Sequence, residues 1–228
     1  NETVCADTLR LLSGNQKLKE VPHCDTLNYY LELLSPDCLS ELRKKMVTSL
    51  IRGKQFYSNR LLGKYWRVIL DGTGVACFEE RHCDNCLYEK RTYKDGRKVT
   101  VYYHKVLEAK LILGDKIVVS LGTEFIENER SDVSKQDCET KAAKRLLERI
   151  KKEYPRLPIC IQGDAMYATE PMMEICRLNG WKYIFSHKEA QQRVLADNYN
   201  LLSLEDGKQK VQGIGAEKGT AIYCNGIG

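Results

Sequence analysis

The sequence lacks several features that would define its class at once. No apolar run has the length of a membrane span or the position of a signal peptide, and no heptad or longer repeat is visible. The ten cysteines lie far apart except for Cys83 and Cys86, so they do not suggest a disulfide framework. These absences argue against membrane-embedded, coiled-coil and disulfide-rich classes. We therefore predict a reduced, cytoplasmic protein with no membrane partner.

Charge of neither sign dominates the sequence. Lys and Arg total 36 against 31 Asp and Glu, which gives a net charge of +5 over 228 residues. Such a mild excess predicts at most a locally basic surface, which allows a polyanionic partner without demanding one. The hydrophobic content of 43% is enough for a real core, and the length suits one domain of ordinary size with a smaller appendage.

Two short apolar runs each end on an aspartate. Residues 66–70 precede Asp71, which is followed by the turn residues 72–74, and residues 157–163 precede Asp164. Each run predicts a buried strand that presents its aspartate at the carboxyl end. A single aspartate in this position is often only a turn former or a helix cap. In open α/β sheets, however, ligands bind outside the carboxyl ends of strands, and a pair of aspartates there could hold a hard cation.

Residues 1–63 carry a helical pattern. Apolar residues at positions 39, 42, 46, 50 and 51 recur at helical spacing, which predicts a stripe that faces a core. The opposite face is basic and could follow the phosphates of DNA, although charged helix faces are usually only solvated. The predicted DNA-binding residues are Arg43, Lys44, Lys45, Arg52 and Lys54.

The chain after residue 63 alternates strand and helix patterns. Three strands are predicted to form an antiparallel meander, and residues 79–96 are charged enough to suggest an irregular loop insertion. An amphipathic helix follows the meander, and further strands and helices alternate beyond it. The predicted elements after the Asp71 strand are strands at 98–113 and 116–125, a helix at 135–154, the Asp164 strand, a helix at 170–178, a strand at 181–186 and a helix to about 198.

The loop insertion contains a cluster of candidate zinc ligands. His82, Cys83 and Cys86 form a C-x-x-C with an adjacent histidine, and His104 follows on a predicted strand. These residue types are the ones that bind zinc. No second C-x-x-C or H-x-x-x-H accompanies the cluster, so a loop that merely contains reduced thiols is the alternative.

The strand and helix order is that of a ribonuclease-H-like core, in which one carboxylate lies on the first strand and another ends the fourth. Asp71 and Asp164 fall on those two strands. In this respect the chain resembles the DDE transposases of bacterial insertion sequences, in the class whose core carries an insertion before its last carboxylate. The resemblance covers about residues 66–189 and depends on the runs 69–73 (ILDGT), 104–110 (HKVLEAK), 122–125 (GTEF) and 163–168 (GDAMYA).

The resemblance implies an α/β (α+β) fold. A ribonuclease-H-like core over residues 64–228 would contain a mixed sheet, with three antiparallel strands and then parallel strands flanked by helices, and residues 1–63 would form a small helical segment before it. It also implies cleavage and strand transfer of double-stranded DNA, at transposon ends and target, by a chain that can assemble as an oligomer on DNA. Asp71 and Asp164 would be catalytic and would hold Mg²⁺ or Mn²⁺, with Asp71 bridging two ions.

The third carboxylate of that family is missing from its expected place. The family glutamate lies in a Y-x2-R-x3-E setting, and nothing after Asp164 matches it. Glu189 is the nearest weak candidate. The chain begins at Asn1 without Met and ends on an apolar run that meets a turn, so we predict a core truncated before this glutamate. The alternatives are a non-catalytic DNA-binding remnant of a transposable element and a stand-alone nuclease that uses Glu189.

Overall fold

The computed structural model describes residues 2–21, 23–188, 193–202, 209–214 and 219–223. The chain divides into two compact units, Asn1–Ser49 and Leu50–Gly228. Among the helices in these described ranges, none combines the length and the apolar character that crossing a membrane requires.

Three helices begin the chain: α1 (Glu2–Ser13), α2 (Cys24–Leu33) and α3 (Pro36–Arg52), the last of which continues past the boundary of the first unit. Ser35 and Pro36 start α3, because the Ser35 hydroxyl accepts a hydrogen bond from the backbone N–H of Asp37 at 3.2 Å. The helical pattern of this region is therefore confirmed.

The predicted core-facing stripe on α3 is wrong for its first half. Leu39, Leu42 and Met46 are 48%, 55% and 60% exposed, whereas Val47, on another side of the helix, is 3% exposed. The periodicity identifies residues that share a face, but that face is buried only where another element covers it. In the described part of the first unit these three side chains remain open to solvent.

The second unit contains a six-stranded mixed sheet with the core strand order β4-β3-β1-β5-β6. β1, β3 and β4 pair antiparallel, β5 and β6 are added parallel to β1, and β2 pairs only with the first part of β3. The predicted mixed α/β fold is confirmed, and this order is compatible with a ribonuclease-H-like fold. The strands are β1 (Trp66–Phe78), β2 (Leu87–Thr92), β3 (Lys98–Gly114), β4 (Ile117–Ile126), β5 (Ile159–Gly163) and β6 (Lys182–Phe185).

Strand β2 lies where the sequence predicts an irregular loop. It pairs with the start of β3 in a hairpin whose turn has Gly96 at φ +84°, a backbone conformation that suits glycine. The sequence does not indicate this strand, because it contains the charged residues Glu89, Lys90 and Arg91. Charged side chains are favoured on a strand at the edge of a sheet, where β2 lies. The prediction of an irregular loop therefore holds for the residues between β1 and β2 and for the hairpin turn at 93–96, and it is wrong for β2.

Helix α4 (Glu139–Glu153) packs against β3 and β4 and covers one face of the sheet. On β3 the alternate residues Leu107, Ala109 and Leu111 share a face and are fully buried. Gly122 on β4 allows the close approach of the helix, because a Cβ there would lie 2.8 Å from Cδ1 of Leu146. The buried residues of α4 are Ala142, Ala143, Leu146, Leu147 and Ile150.

The remaining helices are shorter. Helix α5 (Glu170–Leu178) joins β5 to β6 and buries Met172 and Cys176, which confirms the helix predicted over 170–178. Helix α6 (Arg193–Leu201) follows, and β7 (Gln209–Ile214) pairs antiparallel with β8 (Gly219–Tyr223) in a separate two-stranded sheet.

Candidate functional site

Asp71 lies on β1, two residues beyond the last residue that pairs with β5, and Asp164 directly follows the end of β5. β1 and β5 pair from Trp66 with Ile159 to Ile69 with Gln162, and continuing that register by two residues brings Asp71 beside Asp164. Neighbouring strands lie about 4.8 Å apart, and the charges of both aspartates act on the hydroxyl of Tyr167, so the two residues lie in the same region of the sheet. β5 ends at Gly163 whereas β1 continues to Phe78, so β1 extends beyond the carboxyl end of β5.

The residues after Asp71 do not form the turn that the sequence suggests. Gly72, Thr73 and Gly74 remain inside β1 and pair with Leu107, Val106 and Lys105 of β3. The pairing shifts only between Gly74 and Ala76, where β1 has a bulge. Asp71 therefore lies in the middle of a long strand, and of the two aspartates only Asp164 follows the carboxyl end of a strand.

A third carboxylate, that of Glu108, lies opposite Asp71 on β3. Directly opposed residues of an antiparallel pair have their side chains on the same face of the sheet. The carboxylate of Glu108 is partly buried and accepts a hydrogen bond from the hydroxyl of Thr123 on β4. Sequence reasoning does not select Glu108 as a site residue, although an acid inside an otherwise apolar strand is a visible signal.

The two predicted aspartates differ in their contacts. Asp164 Oδ1 accepts a hydrogen bond from the backbone N–H of Met166 at 2.9 Å and caps the short 3₁₀ helix Ala165–Tyr167, so the capping role considered for it is real. The Asp71 carboxylate is exposed, and no hydrogen bond or ion pair joins it to another described residue. Asp164 is exposed as well, so solvent reaches both carboxylates.

A buried tyrosine lies near both aspartates. Tyr167 is 1% exposed, and its hydroxyl donates a hydrogen bond to Glu139 Oε2 at 3.0 Å. Burial raises the pKa of Tyr167 well above its usual range, and the negative charges of Asp164 and Asp71 raise it further. The hydroxyl therefore stays protonated at neutral pH and acts as a donor.

Glu139, the first residue of α4, is the second acid that sequence reasoning misses. Its carboxylate also accepts a hydrogen bond from Lys105 Nζ, which balances its charge. A Cβ on Gly72 would lie 2.5 Å from the Glu139 carboxyl carbon, so the residue after Asp71 must be small for this carboxylate to approach β1. The Asp-Gly pair reflects this contact rather than a turn.

The described residues place no third ligand with Asp71 and Asp164 in a tight group. Among them, the sets of three or more potential metal ligands whose atoms all lie within 4.8 Å are Cys83, Cys86 and His104, and the exposed, consecutive His23, Cys24 and Asp25. Glu189, the weak candidate for the third acid, lies outside the described residues.

The first of these sets is formed by three of the four predicted zinc ligands. Cys83 and Cys86 lie in the loop between β1 and β2, and His104 lies on β3 opposite Ala76. His82 is not in the set: its ring stacks on Phe78, with the ring centroids 4.6 Å apart. Burial acts to raise the pKa of the Cys86 thiol, but the backbone N–H groups of Cys83 and His82, the side chain of Cys83 and the charge of Arg81 together outweigh it, so that pKa is lowered.

A surface cavity of about 500 Å³ lies along β1 beyond Asp71. It starts at Gly74 and includes the side chains of Arg91, Tyr103 and Lys105, two of them basic. Because a strand rises about 3.4 Å per residue, the cavity begins roughly 10 Å from Asp71.

The predicted DNA-binding residues lie on and just after α3. Lys45, Arg52 and Lys54 are exposed, whereas Arg43 and Lys44 are partly buried. Lys44 Nζ lies 3.4 Å from a carboxylate oxygen of Glu41, a surface ion pair that weakly offsets its charge.

In the comparisons with known proteins, no family model, no curated protein and no solved structure matches this chain.

Proposed function

We propose that this chain is part of a DDE transposase that cleaves and joins double-stranded DNA in the cytoplasm, with Asp71 and Asp164 as its catalytic carboxylates. The observation that supports this most is that both follow the last paired residues of the adjacent parallel strands β1 and β5, each by two positions. The sequence resemblance adds the reaction class, and the mixed sheet is compatible with it.

The chemistry of the site suits Mg²⁺ or Mn²⁺. Both are hard cations that take carboxylate oxygens, and both aspartates are exposed. The opposition of Glu108 to Asp71 adds a second reason, because like charges directly opposite each other on a sheet are destabilising unless a cation compensates them. Divalent ions held by Asp71 and Asp164 would supply stabilisation of the attacking and leaving oxygens of a phosphodiester.

The chain's own groups have defined roles around that centre. Asp71 and Asp164 would bind the metal ions. Glu108 would add negative charge next to Asp71, and the hydrogen bond from the Thr123 hydroxyl orients the Glu108 carboxylate. The protonated Tyr167 hydroxyl and Lys105 fix Glu139 beside Gly72 and keep this end of α4 against β1. These are positioning contacts, and none of them requires Glu139 itself to bind an ion.

The cavity further along β1 offers a second surface for DNA. Tyr103 could stack on a base, and Arg91, which forms an ion pair with Glu89 in the same cavity, could pair with a phosphate instead, whereas Lys105 is held by Glu139. The basic residues of α3 would add contacts that do not depend on sequence. Transposon ends and target DNA are the partners this proposal requires, with assembly into an oligomer on DNA.

Titration of the full chain with Mn²⁺ tests the site. Wild type should bind Mn²⁺ weakly, since few protein ligands leave the ion largely hydrated, and Asp71→Asn or Asp164→Asn should abolish binding. Asp115→Asn is the matched control, because Asp115 is an exposed aspartate in the turn between β3 and β4. Binding that survives in both site variants would refute the assignment.

A further inference from the structure

We propose that the chain has a separate zinc site, in which Cys83 Sγ, Cys86 Sγ and His104 Nε2 bind one Zn²⁺. The two sulfur atoms lie 3.7 Å apart, and His104 Nε2 lies 3.4 Å from Cys83 Sγ and 3.3 Å from Cys86 Sγ. The three atoms thus form a nearly equilateral triangle with one face available to an ion.

The size of this triangle is that of a tetrahedral zinc site. With Zn–S bonds of about 2.3 Å and a Zn–N bond of about 2.0–2.1 Å, tetrahedral angles place sulfur atoms about 3.8 Å apart and sulfur about 3.6 Å from nitrogen. The observed distances depart from these values by no more than about 0.3 Å.

The identity of the ligands selects the metal. Thiolate and imidazole are soft or borderline ligands, which suit zinc and do not suit the hard cations proposed for Asp71 and Asp164. Three protein ligands leave a fourth position. We assign it to water, because Cys83 is partly exposed and the nearby His82 is engaged in stacking on Phe78.

The loop that carries the two cysteines is held in place by other contacts. The backbone N–H of Cys86 donates to the Cys83 carbonyl at 3.3 Å, and that of Cys83 donates to Cys86 Sγ at 3.4 Å. Asn128, only 2% exposed, donates through Nδ2 to the Cys86 carbonyl at 3.0 Å and exchanges two further hydrogen bonds with Asn85. This support fixes the ligands before an ion binds, so less ordering opposes binding.

The position of the site suggests a structural role. The loop between β1 and β2 contributes two ligands and β3 contributes the third, so zinc would join the loop that leads into β2 to strand β3. That hairpin carries Arg91 and Tyr103 of the 500 Å³ cavity. Zinc would therefore stabilise the wall of the cavity rather than take part in the reaction at Asp71.

Metal analysis of the full chain tests the proposal. Protein purified with reductant and without chelator, then given Zn²⁺ and desalted, should contain about one zinc per chain by mass spectrometry. Cys83→Ser, Cys86→Ser and His104→Ala should each weaken binding by more than about 100-fold, since loss of a group that merely orients a ligand already weakens it about 10–100-fold. His82→Ala and Cys138→Ser, which change a neighbouring histidine and an exposed thiol, should retain the metal.

Two further measurements guard against variants that fail to fold. Cys83→His keeps a zinc ligand at the same position and should bind, and Co²⁺ added to wild type should give thiolate-to-cobalt charge-transfer absorption that His104→Ala shifts. Asp71→Asn should keep its zinc, which separates this site from the proposed catalytic one. Failure of folded wild type to take up Zn²⁺, or loss of zinc in His82→Ala as complete as in His104→Ala, would overturn the assignment.

Thiol accessibility distinguishes zinc from a redox pair. With zinc bound, Cys83 and Cys86 should resist alkylation until a chelator is added. Protection that is removed by a reductant and not by a chelator would mean that the two cysteines form a disulfide, and the zinc proposal would then be wrong.

Discussion

Glu108 lies directly opposite Asp71 across the antiparallel pairing of β3 and β1. The two carboxylates share one face of the sheet, and the Thr123 hydroxyl donates a hydrogen bond to Glu108. Asp164 follows the end of β5, the strand on the other side of β1. The opposed Glu108 and Asp71 concentrate negative charge on one face of the sheet, which a bound cation would offset.

Neutralising Glu108 should therefore stabilise the metal-free protein but weaken its binding of metal. Glu108→Gln keeps an oxygen that can accept from Thr123, and relief of the repulsion should raise the free energy of unfolding of the metal-free protein by about 0.2–1 kcal/mol. The same change should weaken Mn²⁺ binding. Denaturant unfolding with and without Mn²⁺ measures both effects, and Glu129→Gln, at an exposed position, is the control. A loss of stability without metal would contradict this account.

The contact between Gly72 and Glu139 predicts a sharp difference between two glycines of β1. A Cβ at position 72 would lie 2.5 Å from the Glu139 carboxyl carbon, whereas a Cβ at position 74 would meet nothing within 4 Å. Gly72→Ala should lower the free energy of unfolding by about 1–3 kcal/mol, because Glu139 is held by Lys105 and Tyr167 and cannot move freely.

Gly74→Ala should change stability little, and it serves as the matched control for Gly72→Ala. Combining Gly72→Ala with Glu139→Ala tests the cause. If the clash is responsible, the double variant should lose less stability than the sum of the two single changes. Strict additivity would show that Glu139 is not what limits position 72.

The raised pKa of Tyr167 predicts a loss of stability at alkaline pH. In the folded chain burial and the charges of Asp164 and Asp71 favour the protonated form, so the unfolded chain, with a tyrosine pKa of about 10, releases this proton first as pH rises. The stability that this group contributes is thus present below about pH 10 and lost above it. Tyr167→Phe should remove that part of the pH dependence.

Urea unfolding between neutral pH and about pH 10.5 would measure the difference between wild type and Tyr167→Phe. At neutral pH the variant should be less stable by about 0.5–1.5 kcal/mol, since the hydrogen bond to Glu139 is lost. The difference in the free energy of unfolding between wild type and Tyr167→Phe should become smaller as pH rises. Tyr93→Phe, at an exposed tyrosine, should run parallel to wild type, and a constant gap for Tyr167→Phe would contradict the prediction.

DNA binding by the basic residues on and just after α3 should be independent of the DNA sequence, and its affinity should fall steeply as the salt concentration rises. Each phosphate contact contributes a slope of about 0.9 in a plot of log affinity against log salt concentration. The paired change Arg52→Gln and Lys54→Gln should therefore reduce the slope by up to about 2. Lys116→Gln, in the exposed turn after β3, is the control, and an affinity that ionic strength does not alter would exclude this mode of binding.

The sequence is sufficient for most of the element order and directs attention to the two aspartates, because these signals are local. Asp71 and Asp164 each end or interrupt an apolar run, and the spacing of Cys83 and Cys86 is visible in the chain. The residues that the sequence does not identify, Glu108 and Glu139, reach this region only through contacts between distant parts of the chain. Glu108 becomes a neighbour of Asp71 only through the β1–β3 register, and Glu139 approaches Gly72 only through the docking of α4.

The same reasoning explains the errors. The charged edge strand β2 resembles a loop in sequence because alternation fails where both strand faces are polar. The prediction that the α3 stripe is buried fails because periodicity indicates which residues share a face and not whether anything covers that face.

The last prediction concerns catalysis by residues 1–228. In a two-metal reaction each ion must be fixed relative to the scissile phosphate, and the described residues place no third ligand with Asp71 and Asp164 within 4.8 Å. We therefore expect little or no nicking of supercoiled plasmid with Mn²⁺, the more permissive ion, even at low salt where DNA is bound. Gel analysis of the nicked product beside Asp71→Asn gives the background.

Glu189 provides the decisive comparison in that assay, because it is the acid that could complete the site within this chain. Robust nicking by wild type that disappears in both Asp71→Asn and Glu189→Gln would mean that Glu189 supplies the third ligand and that the chain is a stand-alone nuclease. Nicking that survives Asp71→Asn would instead point to a contaminant. For a transposase core in which residues 1–228 do not supply the third carboxylate, we expect weak or absent nicking. Mn²⁺ binding should still depend on Asp71 and Asp164.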